Sequence, residues 1–292
     1  MTNSIRDYSK ISIVIPAKNE ASSIGELLKK LKQKFHDAEV IVINDGSTDN
    51  TANIVLENNA KLISHPYSMG NGAAIKAGAR AATGDILITM DADGQHDPEE
   101  IPKLLKKMDE GFEMVVGARS SQSQAGKRRW LGNAFYNYIA SLIVGKKVKD
   151  LTSGFRAVNT KKFKSFIHLL PNGFSYPTTI TMAFFRSGYS VDYISIEAKK
   201  RVGQSHLRLL KDGLRFLIII FKIGTLYSPL KIFTPISALL FSIGVSYYGY
   251  TYFSIGRFTN MSALLLIVSM IIFMIGLVSE QITVLLYKSS RD

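Results

Sequence analysis

The sequence predicts an α/β domain with a mainly parallel sheet, followed by a basic interfacial segment and two transmembrane helices. Three observations carry this. Short β-branched runs alternate with helical patterns over the first two thirds of the chain. Two stretches near the end, Ile232 to Gly256 and Phe258 to Ser279, hold no charged residue. Each exceeds the roughly 20 residues a helix needs to cross hydrocarbon. Finally, the cations crowd just before those stretches.

Ile11-Ser-Ile-Val-Ile15, ended by Pro16, reads as a buried strand. Ile24, Leu27, Leu28 and Leu31 then mark one face of a helix. Glu39-Val-Ile-Val-Ile43 is the second strand, closed by Asn44-Asp45-Gly46-Ser47, with Thr48 expected to cap the next helix. Lys61-Leu-Ile63 is a third strand, and a Gly/Ala-rich helix follows over about Gly72 to Ala82. Asp85-Ile-Leu-Ile-Thr-Met90 is the fourth strand, and Pro98 opens a helix carrying Ile101, Leu104 and Leu105. Met114-Val-Val116 is the fifth, before Gly117-Ala118-Arg119. The expected divisions are 1–198, 199–231 and 232–287.

The 292 residues include 36 Lys and Arg against 23 Asp and Glu, a formal charge of +13, and no Cys. Disulfide scaffolds and thiolate chemistry are thereby excluded. Such an excess invites a nucleic-acid reading, so its placement matters. Lys199, Lys200, Arg201, Arg208, Lys211, Arg215, Lys222 and Lys231 face only Asp212, a net +7 in one segment. Within it, Leu207-Arg208-Leu209-Leu210-Lys211 and Leu214-Arg215-Phe216-Leu217 mix cations and apolar residues at helical spacing, as an interfacial helix on an anionic leaflet does. With Lys288 and Arg291 beyond the second apolar stretch, the positive-inside rule puts both termini and the large domain in the cytoplasm, at the inner or cytoplasmic membrane. Met1 to Lys10 holds no apolar run of signal-peptide type. No nucleic-acid partner is expected. Glu280 and Gln281 read as snorkelling residues without a role.

Ligands of open α/β sheets bind at the carboxyl ends of the strands. Here those ends are acidic: Glu20 after the first strand, Asp45 after the second, Asp91-Ala92-Asp93-Gly94-Gln95 after the fourth. Carboxylates grouped on one edge repel unless a cation or donors offset them, which points to a divalent metal. Asp91 and Asp93 suit Mg²⁺ or Mn²⁺, and Gln95 adds a neutral oxygen. An EF-hand fails on spacing, since the twelfth position from Asp91 is Pro102. The first βα turn lacks the glycines of a dinucleotide fold, while Gly70-Asn71-Gly72 suggests a helix N-terminus open to a diphosphate.

The three segments Ile11 to Glu20, Val42 to Asp49 and Met90 to Pro98 resemble, in order, those of family 2 glycosyltransferases with a Rossmann-like A-type fold. Asp150-Leu-Thr-Ser153-Gly154-Phe155-Arg156 and Lys200-Arg201-Val-Gly203-Gln-Ser205-His206 are similar to the later motifs of its polyprenyl-phosphate branch. The resemblance implies a nucleotide-diphospho-sugar donor held by Pro16, Lys18, Glu20, Ile43, Asp45, Asp91 and Ala92. It implies a metal on Asp91, Asp93 and Gln95, catalytic roles for Asp93, Arg119 and Arg201, and an acceptor phosphate met by Ser153, Arg156, Lys200 and His206. The expected acceptor is a polyprenyl phosphate, and a homo-oligomer is allowed for. His206 stands where the family usually has Lys. Phe174-Ser-Tyr-Pro-Thr178-Thr179 holds no acid where many relatives have one. A phosphate monoester, with its second pKa near 6, needs no general base, whereas a sugar hydroxyl does. The alternatives are a family 2 enzyme acting on a glycan hydroxyl and a non-catalytic membrane-anchored binding protein.

Overall fold

The computed structural model describes residues 10–119, 127–173, 175–197, 221, 224–225 and 227–288. The side chains of 127–133, 135 and 286–288 are not among them. Two compact units divide the chain, one within 1–141 and 146–206, the other within 142–145 and 207–292.

The first unit is a seven-stranded sheet with helices between its strands. In chain order come β1 (Ile11–Ala17), α1 (Ile24–Lys34), β2 (Glu39–Asn44), α2 (Thr51–Glu57), β3 (Lys61–Ser64), α3 (Asn71–Ala81) and β4 (Ile86–Thr89). There follow α4 (Ile101–Asp109), β5 (Met114–Arg119), α5 (Lys127–Val144), β6 (Arg156–Asn159), α6 (Thr160–Ser165), α7 (Tyr176–Arg186) and β7 (Val191–Ile196). The strand order is β3-β2-β1-β4-β6-β5-β7. All neighbours run parallel except β6, which is antiparallel to β4 and to β5.

The central strands are apolar on both faces because helices cover both. Ile11, Ile13, Val14, Ile15, Ile41, Val42 and Ile43 are buried, as are Ile24, Leu27, Leu28 and Leu31 on the inner face of α1. Each such side chain contributes about 1.5–3 kcal/mol when fully buried. Two boundaries differ from expectation. β1 continues through Pro16 to Ala17, and α2 begins at Thr51 rather than after Thr48. Thr48 does not cap α2. Its backbone N–H donates to Asn19 Oδ1 at 2.8 Å, joining two loops instead. β6 and β7 lie beyond the five strands the sequence predicts, and β6, four residues long, sits between β4 and β5 in the sheet.

At the end of the sheet away from the site, Glu39 gathers Ser12 Oγ (2.6 Å), Thr83 N–H (2.8 Å), Thr83 Oγ1 (2.9 Å) and Lys61 Nζ (2.9 Å). Burial raises its carboxyl, but these donors outweigh burial and hold it down at about 2. A depressed carboxyl stabilises the fold above its unfolded value and loses that contribution as pH falls through the folded one. Glu39→Gln is therefore expected to cost about 1–2 kcal/mol at pH 7, and the cost is expected to vanish between roughly pH 4.5 and 2. Thermal melts of both proteins across that range check it, and a difference that persists at the acid end would refute it.

The second unit contains two helices long and apolar enough to cross a membrane, α8 (Pro229–Ile255) and α9 (Asn260–Lys288). Gly256, at φ +66°, ends α8 in the left-handed conformation, and Thr259 Oγ1 accepts from Ser262 N–H at the start of α9. The helices approach closely through small residues. A Cβ on Gly276 would lie 2.8 Å from Phe233 Cβ, and one on Gly244 3.1 Å from Leu265 Cβ. Hydroxyls of Ser237, Thr251, Ser269 and Thr283 bond carbonyls of their own helix. Leu239, Phe241, Phe253, Leu264, Ile267 and Met270 point outward, an apolar shell suited to lipid. Glu280 has a structural use that sequence reading missed: its Oε2 accepts from Leu230 N–H at 3.4 Å, at the N-terminus of α8.

Candidate functional site

β1 and β2 pair in register to their last residues, Ala17 against Asn44, so the turns that follow leave the sheet side by side. Asn19 adopts φ +55°, which Asn tolerates better than most residues. Its N–H donates to Ser47 Oγ (3.0 Å), and Glu20 N–H donates to Thr51 Oγ1 (2.9 Å). Asp49 accepts from Ala21 and Thr51 N–H. Pro16, Lys18 and Glu20 are thus held against the Asp45–Thr51 loop, with Lys18 Nζ donating to Ser68 Oγ (3.0 Å).

Asp45 is buried, and its oxygens are saturated. Oδ1 accepts from His65 Nδ1 (2.7 Å) and Met69 N–H (2.8 Å), and Oδ2 from Ser68 Oγ (2.8 Å) and Gly70 N–H (2.9 Å). A carboxylate offers about four such positions, so a nucleobase would have to displace one of these donors. In the structure Asp45 fastens the 65–70 segment beside Lys18. Burial pushes its carboxyl up, and the four donors pull it down further, leaving it below the usual carboxylate range. Nothing in the sequence links Asp45 to His65, Ser68 and Met69, because the pairs span 20 to 24 positions. Ile43, expected on the donor side, is a fully buried core residue of β2.

The Gly70–Gly72 turn also differs from expectation. A Cβ on Gly72 would lie 2.1 Å from Pro171 O, and one on Gly70 2.5 Å from Asn172 O. Asn172 O accepts from Ala73 N–H at 3.0 Å. The glycines admit a protein loop to the start of α3, and the expected diphosphate approach there is blocked by it.

Beyond β4, Asp93 Oδ1 accepts from Gln95 N–H (3.1 Å) in a tight Asx turn, with Gly94 at φ +72°. Asp91, Asp93 and Gln95 are half-buried, while Ala92 is buried and offers only its backbone. His96 is buried and stacks on Phe155, ring centroids 5.1 Å apart, with Nδ1 3.4 Å from Asp91 N. Burial pushes the imidazole down to about 4, so it is neutral at physiological pH. The acidic turn therefore rests on an uncharged aromatic stack, for which the sequence carried no signal beyond its place after Gln95.

At the end of β5, Arg119 grips Asp150 bidentately, Nε to Oδ2 at 2.9 Å and Nη2 to Oδ1 at 3.2 Å, and Nη2 also donates to Thr152 Oγ1 (2.6 Å). Burial disfavours the Arg119 cation, but Asp150 first, then Asp91 and Asp93, raise it further. One oriented guanidinium thus sits in the field of all three carboxylates. Ser153 is buried, its hydroxyl accepting from Phe155 N–H at 3.3 Å. Arg156 has no accessible surface. Its Nη1 donates to Pro177 O and Thr181 Oγ1 (both 3.1 Å), and its Nη2 to Ser153 O. The expected contact of Arg156 with an acceptor phosphate is therefore corrected, because the guanidinium is enclosed by protein. Lys200, Arg201 and His206 lie outside the described residues.

The hard oxygen donors at Asp91, Asp93 and Gln95 fit Mg²⁺ or Mn²⁺ chemistry. Among the described residues no three His, Cys, Asp or Glu converge as a self-sufficient metal cage. Such a donor set suits an ion completed by ligand oxygens, as Mg²⁺ on one or two carboxylates and phosphates commonly is.

Residues 12–166 match the family model "Glycosyl transferase family 2", and residues 228–285 match "GtrB C-terminal hairpin". Over 189 residues the chain is 33% identical to undecaprenyl-phosphate 4-deoxy-4-formamido-L-arabinose transferase of Pseudomonas fluorescens, covering 58% of this chain and 55% of that one. The chain thus spans about half the length of that relative. An uncharacterized protein of Methanocaldococcus jannaschii is 35% identical over 166 residues, 54% of this chain and 68% of that one. The fold is that of glucosyl-3-phosphoglycerate synthase from Mycobacterium tuberculosis, solved with Mn²⁺, UDP-glucose and phosphoglyceric acid. The TM-score is 0.61 at 20% identity, over 74% of this chain and 79% of that one. The same enzyme with Mg²⁺ and UDP aligns at 0.59 and 20%, over 74% and 79%.

Proposed function

Because the chain belongs to glycosyl transferase family 2, we propose that it is a membrane-bound inverting transferase moving a sugar from a nucleotide-diphospho-sugar to a polyprenyl phosphate. One observation carries the choice of acceptor: the family domain is followed, in the same chain, by a hairpin of the GtrB type. The relative named for undecaprenyl phosphate supports the same choice. A lipid acceptor requires an enzyme held at the bilayer, and α8 and α9 have the length and composition to hold it there.

The chemistry follows from the strand ends. Lys18 and Glu20 bind the nucleoside, in a pocket whose wall Asp45 shapes. Asp91, Asp93 and Gln95 hold Mg²⁺ or Mn²⁺, which when bound offsets charge on the departing diphosphate. A phosphate oxygen of the lipid forms the new bond to the anomeric carbon as the bond to the nucleoside diphosphate breaks, with inversion. Arg119, oriented by Asp150, meets the developing phosphate charge with Arg201, Lys200 and His206, and Ser153 lines the acceptor side. No general base is required, because the acceptor is already ionised. The half-turn that opens α7, Tyr176 to Thr179, is buried and carries no carboxylate, which disfavours a sugar hydroxyl as acceptor.

In this reading residues 1–198 are the catalytic domain, 199–231 the basic lipid-facing segment and 232–287 the hairpin, with catalytic domain and termini on the cytoplasmic side. The test is a panel of nucleotide sugars incubated with undecaprenyl phosphate and membranes containing the protein, with a glycan acceptor in parallel. A sugar-phospho-lipid product from at least one donor is expected. Transfer to the glycan alone would overturn the acceptor assignment.

A further inference from the structure

The fully buried guanidinium of Arg156 has no use in the chemistry above. Its four donor contacts go to two carbonyls, a hydroxyl and the Met114 thioether, its Nε has no partner, and it makes no ion pair among the described residues. A buried charge without a counter-charge is costly, so its location calls for an account. That location is close under the acidic strand end. Arg156 stands opposite Thr89 in the β4–β6 ladder, two positions before Asp91. Thr89 Oγ1 donates to Gly154 O at 2.6 Å, and Gly154 lies so near Asp91 that an added Cβ would be 3.0 Å from Oδ2. Tyr176, also buried, shares this polar floor, and its hydroxyl is acted on by both Asp91 and Arg156.

We propose that Arg156 is a positioning residue acting through its field: its charge, fixed beneath Gly154 and Asp91, weakens the hold of the acidic turn on a free divalent cation and strengthens that turn's hold on an anionic diphosphate. The site is thereby biased against binding metal alone and toward binding metal and nucleotide together. The guanidinium need not touch either ligand. At the high effective dielectric of a half-exposed turn, about 50–80, a unit charge about 10 Å from a divalent cation alters its affinity by about threefold to tenfold. The proposal rests on the reading that Asp91 and Asp93 hold the metal.

The opposite signs separate this role from a structural one. In the full-length chain in detergent, Arg156→Met removes the charge at similar length, and Arg156→Lys keeps the charge without the fork. Mn²⁺ binding without nucleotide, followed by electron paramagnetic resonance, is expected to tighten about threefold to tenfold in Arg156→Met. UDP binding in EDTA, followed by calorimetry, is expected to weaken by a similar factor. Arg156→Lys is expected to leave both within about twofold of wild type, whatever its melting temperature. Circular dichroism shows whether each variant is folded. A folded Arg156→Met whose Mn²⁺ affinity is unchanged or weaker overturns the proposal. If that variant does not fold, a folded Arg156→Lys with near-normal affinities supports it, and one that loses both together overturns it. Should wild type bind no Mn²⁺, the metal reading fails, and the UDP comparison alone decides the role of Arg156.

Discussion

Asp93→Asn is expected to lower sugar transfer by about a thousandfold while leaving the protein folded. The expectation separates two properties of one side chain. Asp93 Oδ1 accepts from Gln95 N–H and so shapes the turn, a bond that an amide oxygen can also accept. The charge is a different matter. Where no three His, Cys, Asp or Glu converge as a metal cage among the described residues, losing one of the two carboxylates removes half of the site's anionic donors. Loss of a group that stabilises developing charge in such a site costs on the order of 10²–10³ in rate, and loss of the metal with it costs more. The measurement is initial rate against Mn²⁺ and Mg²⁺ concentration, for wild type, Asp93→Asn and Asp93→Ala. Asp93→Asn should melt near wild type and Asp93→Ala somewhat lower, because only alanine also breaks the turn. Wild-type rates with an unchanged metal requirement in either variant would sink the metal assignment.

The parts of the fold legible in the sequence were those governed by local periodicity. β1, β2 and β4 are buried runs between helical stretches, and their acidic exits follow from the rule about strand ends. The apolar helices α8 and α9 were legible from length alone. What stayed hidden depends on contacts between distant residues. β6 is only four residues long, and it becomes a strand because β4 and β5 leave a slot for it. Asp45 is legible as an acid at a strand end, but its four donors come from a segment some 20 positions away. Arg156 looked like a phosphate-facing cation beside Ser153. Its place in the ladder opposite Thr89 turns it inward, where Pro177 and Thr181 enclose it. Residue type and motif position bring Glu20, Asp45, Asp91, Asp93 and Arg119 to the strand ends. They do not tell that Arg156 is enclosed by protein.

The Arg119–Asp150 pair carries the other large expectation, and here stability and transfer must be separated. Asp150 is buried, and it does more than hold Arg119. Its Oδ1 also accepts from Thr152 N–H (3.0 Å) and Ser153 N–H (3.1 Å), closing the turn that leads to Gly154. Burial raises its carboxyl, and Arg119, followed by these backbone donors, draws it below the usual range. Removing one member of such a pair strands the other, so Asp150→Ala is expected to cost about 3–5 kcal/mol of stability. Arg119→Met should cost less, because the Arg119 side chain is 28% exposed and the Asp150 oxygens keep their backbone donors. The double variant should be more stable than the two single losses would sum to, a positive coupling readable from denaturant melts. Transfer should respond in the reverse order of specificity. Arg119→Lys keeps a cation but not the fork that aims it, and a loss of about a hundredfold in kcat/KM is expected with a modest loss of stability. A melt lowered as expected, with transfer at the wild-type rate, would reduce Arg119 to a clamp on the 150–155 turn. Loss of transfer beyond what the melts explain would place its guanidinium among the groups that meet the phosphates.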